Sequence, residues 1–182
     1  GATVTRGSSS VTTDETGAFA DLGGDVNAPI TASGGVDIST GQNFTGTLEA
    51  PAGATVVTPL TTLVQSLVAS GDSLAEALAT VQTAFGLPDA VAASTGDQSL
   101  LNFDPVAAAS GDDADAAAVG TAVAKAGIQV ATVLQNAAAG DAAEFARLAD
   151  ALAVQLKAAP VDLTDATAVT NVMSAAEASA DA

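Results

Sequence analysis

The chain of 182 residues has no histidine, cysteine, tryptophan or tyrosine, and only four lysines and arginines against 21 aspartates and glutamates. Without cysteine there is no disulfide framework, no thiolate nucleophile and no zinc knuckle. Histidine is missing too, so the nitrogen and sulfur ligands of haem and most transition-metal centres are gone, and no cofactor is expected. A formal net charge of −17 repels phosphate backbones, since nucleic-acid affinity comes from Lys and Arg neutralising phosphates; nucleic acid is excluded as a partner. Anionic membrane surfaces are disfavoured for the same reason. Uninterrupted apolar runs fall far short of the roughly 20 residues a spanning helix needs, so no membrane insertion is expected. Gly1 to Ser10 holds neither a basic start nor an apolar run, and no signal peptide is read there.

What is present is a folding chain. Hydrophobic residues make up 48%, too many for a disordered acidic tail, but alanine inflates that figure and the only aromatics are five Phe. The core is therefore expected to be thin, built from Leu, Val and Ala at close helix spacing. The fold class expected is α+β, with a small N-terminal antiparallel β unit over residues 1–57 and an alanine-rich α-helical bundle over 58–182. In the first part, short β-branched runs are predicted as strands at Ala2–Arg6, Ser10–Thr13, Ala18–Leu22, Ile30–Ala32, Asn43–Leu48 and Thr55–Val57, punctuated by glycines. Thr12 to Phe19 is predicted to turn back as a hairpin, with Asp14 opening the turn, Gly17 in the left-handed position and Phe19 returning to the core.

From Thr58 the apolar period becomes helical. Thr58 is an N-cap with Pro59 at the first helical position, and Leu60, Leu63, Val64, Leu67 and Val68 form one stripe ending at Gly71. The capping box Ser73 to Glu76 opens an antiparallel partner carrying Leu74, Leu78, Val81 and Phe85. Residues 89–104 form an irregular stretch anchored by Leu100, Leu101 and Phe103, and Asp104-Pro105 restarts a short helix. A long helix from Asp113 to Ala139, with Val119, Val123, Ala126, Val130, Val133 and Leu134 inward, is expected to be the spine. Asp141 and Glu144 cap a helix with Phe145, Leu148, Leu152 and Leu156 inward; Thr164 and Asp165 open the last one, with Val169, Val172 and Met173 inward. These make a bundle of four main helices with one or two short ones.

The order of Gly1 to Thr5, Thr12 to Phe19, Gly34 to Gly41, Phe44 to Gly53, Val56-Val57-Thr58-Pro59-Leu60-Thr61-Thr62-Leu63-Val64, Gly86-Leu87-Pro88 and Phe103-Asp104-Pro105 resembles a module of very large, repetitive bacterial surface proteins, the adhesins and hemolysin-type calcium-binding (RTX-like) proteins. In them a truncated Ig-like or prealbumin-like strand unit runs into an alanine-rich helical unit. The resemblance covers most of the chain and implies an extracellular or cell-surface location. It also implies a role in adhesion, biofilm formation or surface-layer assembly, and partners among other surface components, polysaccharide or a second copy. The chain departs from the calcium-rich pattern of such proteins in having no Gly-Gly-x-Gly-x-Asp repeat and no Asp-x-Asp-x-Asp-Gly loop.

Candidate sites are few. Calcium takes six to eight oxygens from converging carboxylates and carbonyls, and the best local candidates are Asp112, Asp113 and Asp115, with Asp14 and Glu15 beside Asp21 or Asp25 as a second set. Acids at a helix start are equally explained by the backbone dipole. Glycoside hydrolysis needs one acid with a raised pKa in an apolar pocket and usually aromatic walls, which a chain without Trp or Tyr lacks. Lys125 and Lys157, the only lysines, have no Ser-x-x-Lys spacing and read as solvated helix residues. Arg6 and Arg147 are candidates to anchor an acidic partner or saccharide, with Arg147 more simply paired to Glu144 or Asp150. The expectation is a non-enzymatic extracellular module, adhesive or spacer; the alternatives are a self-assembling filament or surface-layer subunit using a β edge, and a saccharide- or peptide-binding receptor using the 89–104 loop.

Overall fold

A computed structural model describes residues 1–37, 41–91 and 99–180 of the chain. The fold is α+β: a four-stranded antiparallel sheet precedes a set of helices. The strands are β1 Thr3–Arg6, β2 Ser9–Thr12, β3 Ile30–Ser33 and β4 Thr47–Ala50, in the order β2-β1-β3-β4. Gly7, at φ +58, takes the first position of the two-residue turn between β1 and β2, a conformation that a hairpin turn of this length demands and a Cβ opposes. Register fixes the faces. Val4 lies opposite Val11 and Ala32, and Ala32 opposite Leu48, so these point to one side. Thr3, Thr5, Ser10, Thr12, Thr31, Ser33, Thr47 and Glu49 share the other, and the hydroxyls of Thr5 and Thr31 are hydrogen-bonded across it.

Two expected strands are absent. At Thr55–Val57 the backbone N–H groups of Thr55 and Val56 both donate to Leu101 O, so that segment is tied to the loop after residue 98 instead of to a sheet. Ala18–Leu22 follows a closed turn, and Phe19 and Leu22 pack on the core from an irregular segment. The strand expected at Asn43–Leu48 falls later, at Thr47–Ala50, after an isolated bridge of Val36 with Asn43 and a close approach of Gly46 to the ring of Phe145.

The helices are α1 Pro59–Ala69, α2 Leu74–Ala84, α3 Pro105–Ala109, α4 Ala114–Ala138, α5 Ala142–Ala158 and α6 Ala166–Ala180, with a 3-10 turn at Asp89–Val91. Five of them reach at least 11 residues, one more than the four main helices expected. Their starts follow the sequence signals: Thr58 and Thr61 close a reciprocal capping box on α1, Ser73 and Glu76 close one on α2, and Asp104, Asp113 and Asp141 cap α3, α4 and α5. The spine is α5 instead of α4. It touches α1, α2, α4, α6 and β4, and its Phe145, Leu148 and Leu152 are fully buried. On α6, Val172 is buried as expected, but Met173 is 38% exposed because only one stripe of that helix meets α5.

The change from strands to helices falls between Ala50 and Pro59, and one apolar cluster runs through both parts, from Val4 and Ile30 through Leu63 and Val130 to Leu152. The joint is polar as well as apolar. On α1 the buried Thr61 and Thr62 turn their hydroxyls onto the edge of β4. Thr61 Oγ1 donates to Glu49 O at 2.9 Å, while Glu49 N donates to Thr62 Oγ1 at 2.9 Å. An edge strand is thus satisfied by helix side chains where another strand would otherwise pair. Among the described residues α4 alone is long and apolar enough to cross a membrane, in contrast to the expectation from uninterrupted apolar runs; here Val123, Val130 and Leu134 pack it into the bundle.

Candidate functional site

The apolar face of the sheet is only partly covered. Helix α1 lies along β4 and α5 reaches the same strand, but toward β1 the face opens into a half-open groove of about 740 Å³ whose opposite wall is α4. Its floor is Val4, Ala32, Leu48 and Phe44. One wall is the Thr13 to Gly17 turn with Phe19; the other is a stripe of α4 through Ala124, Ile128, Ala131 and Gln135; Val36 and Val106 stand at the margins. A groove of this size with a mainly apolar interior and polar side chains such as Asp14, Glu15, Gln42 and Gln135 among its lining has the character of a ligand or partner site.

Local sequence explains each wall. In the turn, Asp14 Oδ1 accepts from Thr16 N at 2.8 Å, Thr16 Oγ1 at 2.7 Å and Ala18 N at 3.0 Å, while Gly17 sits at φ +87. The Thr16 hydroxyl, then the backbone N–H groups of Thr16 and Ala18, hold the Asp14 carboxyl below its ordinary range. On α4 the residues facing α1 and α5 (Val123, Val130 and Leu134) form one stripe, and Ala124, Ile128, Ala131 and Gln135 form a second beside it at helical spacing. Gly127 lies between the stripes; a Cβ there would come 3.8 Å from Pro59 Cδ, an ordinary contact. Ile128 is 55% exposed, Val36 and Val106 each 56%. Three of the five large hydrophobics more than half exposed among the described residues therefore sit on one groove.

The sequence candidates lie elsewhere. Asp113 caps α4, accepting from Asp115 N and Ala116 N at 3.0 Å each, and Asp112 and Asp115 are exposed beside it. No three acidic groups among the described residues converge closely enough to hold a metal ion, whether at Asp112, Asp113 and Asp115 or at Asp14, Glu15, Asp21 and Asp25. Arg6 is turned inward: its Nη1 donates to Leu22 O at 3.3 Å, and its Nε is buried without a hydrogen-bond partner. Arg147 pairs with Glu144, its Nε donating to Oε2 at 3.0 Å. Lys157 is more than a solvated helix residue, since Nζ bonds Asp72 Oδ1 at 2.6 Å and fastens the end of α5 to the α1–α2 turn. Of the 89–104 loop, residues 92–98 lie outside the described residues, as do residues 38–40 of the Gly34 to Gly41 segment. The rest of the loop is structural: Ser99, Leu100, Leu101 and Phe103 are buried, and Leu101 N and Phe103 N bond Ser99.

Glu49 is an acid whose pKa is raised. Burial pushes it up first, and the nearby Asp150 adds to this. It lies on the hydroxyl face of the sheet, away from the groove. Compared with protein-family models, with curated proteins and with solved structures, the chain matches none of them.

Proposed function

We propose that this chain is a non-catalytic binding module of an extracellular bacterial surface protein, and that it acts in adhesion by receiving part of a partner in the groove between the sheet and α4. The observation that carries the reading is the gathering of Val36, Val106 and Ile128, all more than half exposed, on one apolar groove of about 740 Å³. Exposed apolar surface concentrated in this way favours association, because covering it removes it from water. The order of motifs from Gly1 to Pro105, which resembles adhesin modules, supports the location. A pure spacer needs no such groove.

Displaying the chain on a non-adherent bacterial cell and counting attachment to host-cell, polysaccharide and abiotic surfaces tests the reading. Attachment that falls in Ile128→Gln is expected; no gain in attachment on any surface refutes an adhesive role. Self-assembly through a β edge is a second reading. Since α1 covers β4, it has only the outer strand β2 to use among the described residues. Concentration-dependent sizing that responds to a Pro in β2 would favour it.

A further inference from the structure

The groove also has a charge, and that narrows what it takes. We infer that it receives a cationic amphipathic segment of a partner protein, laid along α4 with its apolar side inward and its basic side over Asp14 and Glu15. The inference deepens the adhesive reading and rests on it for the groove being a receiving surface.

Length comes first. The α4 residues lining the groove run from Val123 to Asn136, which at 1.5 Å per residue makes a trough about 20 Å long. That is the reach of a peptide helix of about 13 residues, the usual occupant of an apolar groove flanked by a helix, with anchors at i, i+3, i+4 and i+7. Anchor sites are present: Ile128 and Val106 stand exposed on the helical side, and Val36 on the sheet side.

Charge decides between amphiphiles. Asp14 and Glu15 form the rim at the turn, and none of the four cationic side chains, Arg6, Lys125, Arg147 and Lys157, lines the groove. Asp14 is held ionised by the Thr16 hydroxyl and backbone N–H groups. The whole chain adds a field of net charge −17. A fatty acid, an anionic lipid or an acidic peptide meets repulsion from that rim and from the net charge. A basic segment is drawn in, and its charges stay at the wet rim, where they need not be desolvated.

The test uses the full chain and labelled helical peptides of about 13 residues that share one apolar face and carry lysine, serine or glutamate on the other. Fluorescence anisotropy should show the lysine peptide binding about tenfold or more tightly than the serine peptide, with the margin shrinking as salt rises. The glutamate peptide should bind more weakly still. Ile128→Gln and Val106→Gln should each weaken the lysine and serine peptides alike, and Glu15→Gln should weaken the lysine peptide alone. Circular dichroism and melting temperature report that each variant is folded. Equal binding of all three peptides, binding that survives both groove substitutions in folded protein, or no binding by the lysine peptide overturns the inference. A dimer lost on Ile128→Gln overturns it as well, in favour of a second copy. If displayed cells attach through Ile128 while no peptide binds, the partner chemistry fails and adhesion stands. If the lysine peptide binds while displayed cells attach to nothing, the groove stands and adhesion fails.

Discussion

Removing the two threonine hydroxyls that join α1 to β4, singly and together, tests the joint that holds the sheet on the bundle. Each hydroxyl has one proton. Thr61 Oγ1 lies 2.9 Å from both Glu49 O and Thr58 O and accepts from Thr58 N at 2.8 Å. Thr62 Oγ1 accepts Glu49 N at 2.9 Å and points its proton between Thr58 O at 3.0 Å and Glu49 O at 3.3 Å. Thr62→Val keeps the side chain's branching but leaves the Glu49 N–H facing a methyl group under a helix, at a cost of about 1–3 kcal/mol. Thr61→Val removes one donor to Glu49 O and half of the capping box, at about 1–2 kcal/mol. It is partly rescued, because the Thr62 proton swings to Glu49 O while Thr58 O keeps the Thr62 N–H at 3.0 Å. The double variant has no such rescue and bares both polar groups of Glu49. It should therefore lose about 0.5–1 kcal/mol more than the sum of the singles. Urea unfolding of the four proteins measures this directly, with the slope unchanged and the midpoint moving. A Thr62→Val within about 0.3 kcal/mol of the parent, or a double variant no worse than the sum, would falsify the account of a shared hydroxyl clamp.

Three other perturbations follow from the same packing. Gly46→Ala places a Cβ 2.6 Å from Phe145 Cδ2, against a ring that is 1% exposed and edge-on to Phe44 at 5.5 Å; about 1–3 kcal/mol should be lost, and an unchanged melting temperature would show that the ring has room to move. Asp113→Ala should cost about 1 kcal/mol through the lost cap, equally in calcium and in chelator, and a loss seen only in calcium would return Asp112, Asp113 and Asp115 to candidacy as ion ligands. Glu49→Gln should raise the melting temperature at neutral pH. The folded-state pKa of Glu49 is raised, so its contribution is fully present below the ordinary glutamate range and is lost as pH rises through the folded value. The melting curves of parent and variant should converge in acid, and a gap that persists there refutes the assignment. Asp14, Glu76, Asp141 and Asp162 are lowered by their turn and cap hydrogen bonds, so they act in the opposite sense, losing stability as pH falls through their folded values.

Helices were the legible part of this chain because their signals are local. Thr58-Pro59, Ser73 to Glu76, Asp104-Pro105, Asp113 and Asp141 each state a helix start within a few residues, and the structure begins a helix at every one. Strand identity was less legible, since pairing depends on what lies far away. Thr55–Val57 has strand composition, yet its N–H groups find Leu101 O. The strand expected at Asn43–Leu48 starts only after Gly46, which lies against the ring of Phe145, a residue far along the chain. The spine is less legible for a related reason. Length and apolarity favoured α4, but centrality is decided by how many neighbours a helix has, and α5 has α1, α2, α4, α6 and β4.

The groove was invisible to periodicity because its walls are made of residues that belong to no single stripe. One signal did stand in the sequence: Ile128 is a large β-branched residue off the inward stripe of α4 through Val123, Val130 and Leu134, in a helix otherwise filled out with alanine. What turns that residue into part of a site is the size of the sheet. Four strands of four residues present an apolar face that α1 covers from one side only, held there by Thr61 and Thr62 on β4. Val4 of β1 and Ala32 of β3 then face α4 across the gap. A bulkier second stripe on α4 would fill that gap. Ala124→Leu with Ala131→Leu keeps helix propensity and adds apolar volume to one wall. If the groove is an unoccupied packing defect, the pair should stabilise the fold by burying more surface. If it is a receiving surface, the pair should also abolish binding of the basic peptide, and stabilisation with binding intact would separate the two roles in favour of a defect.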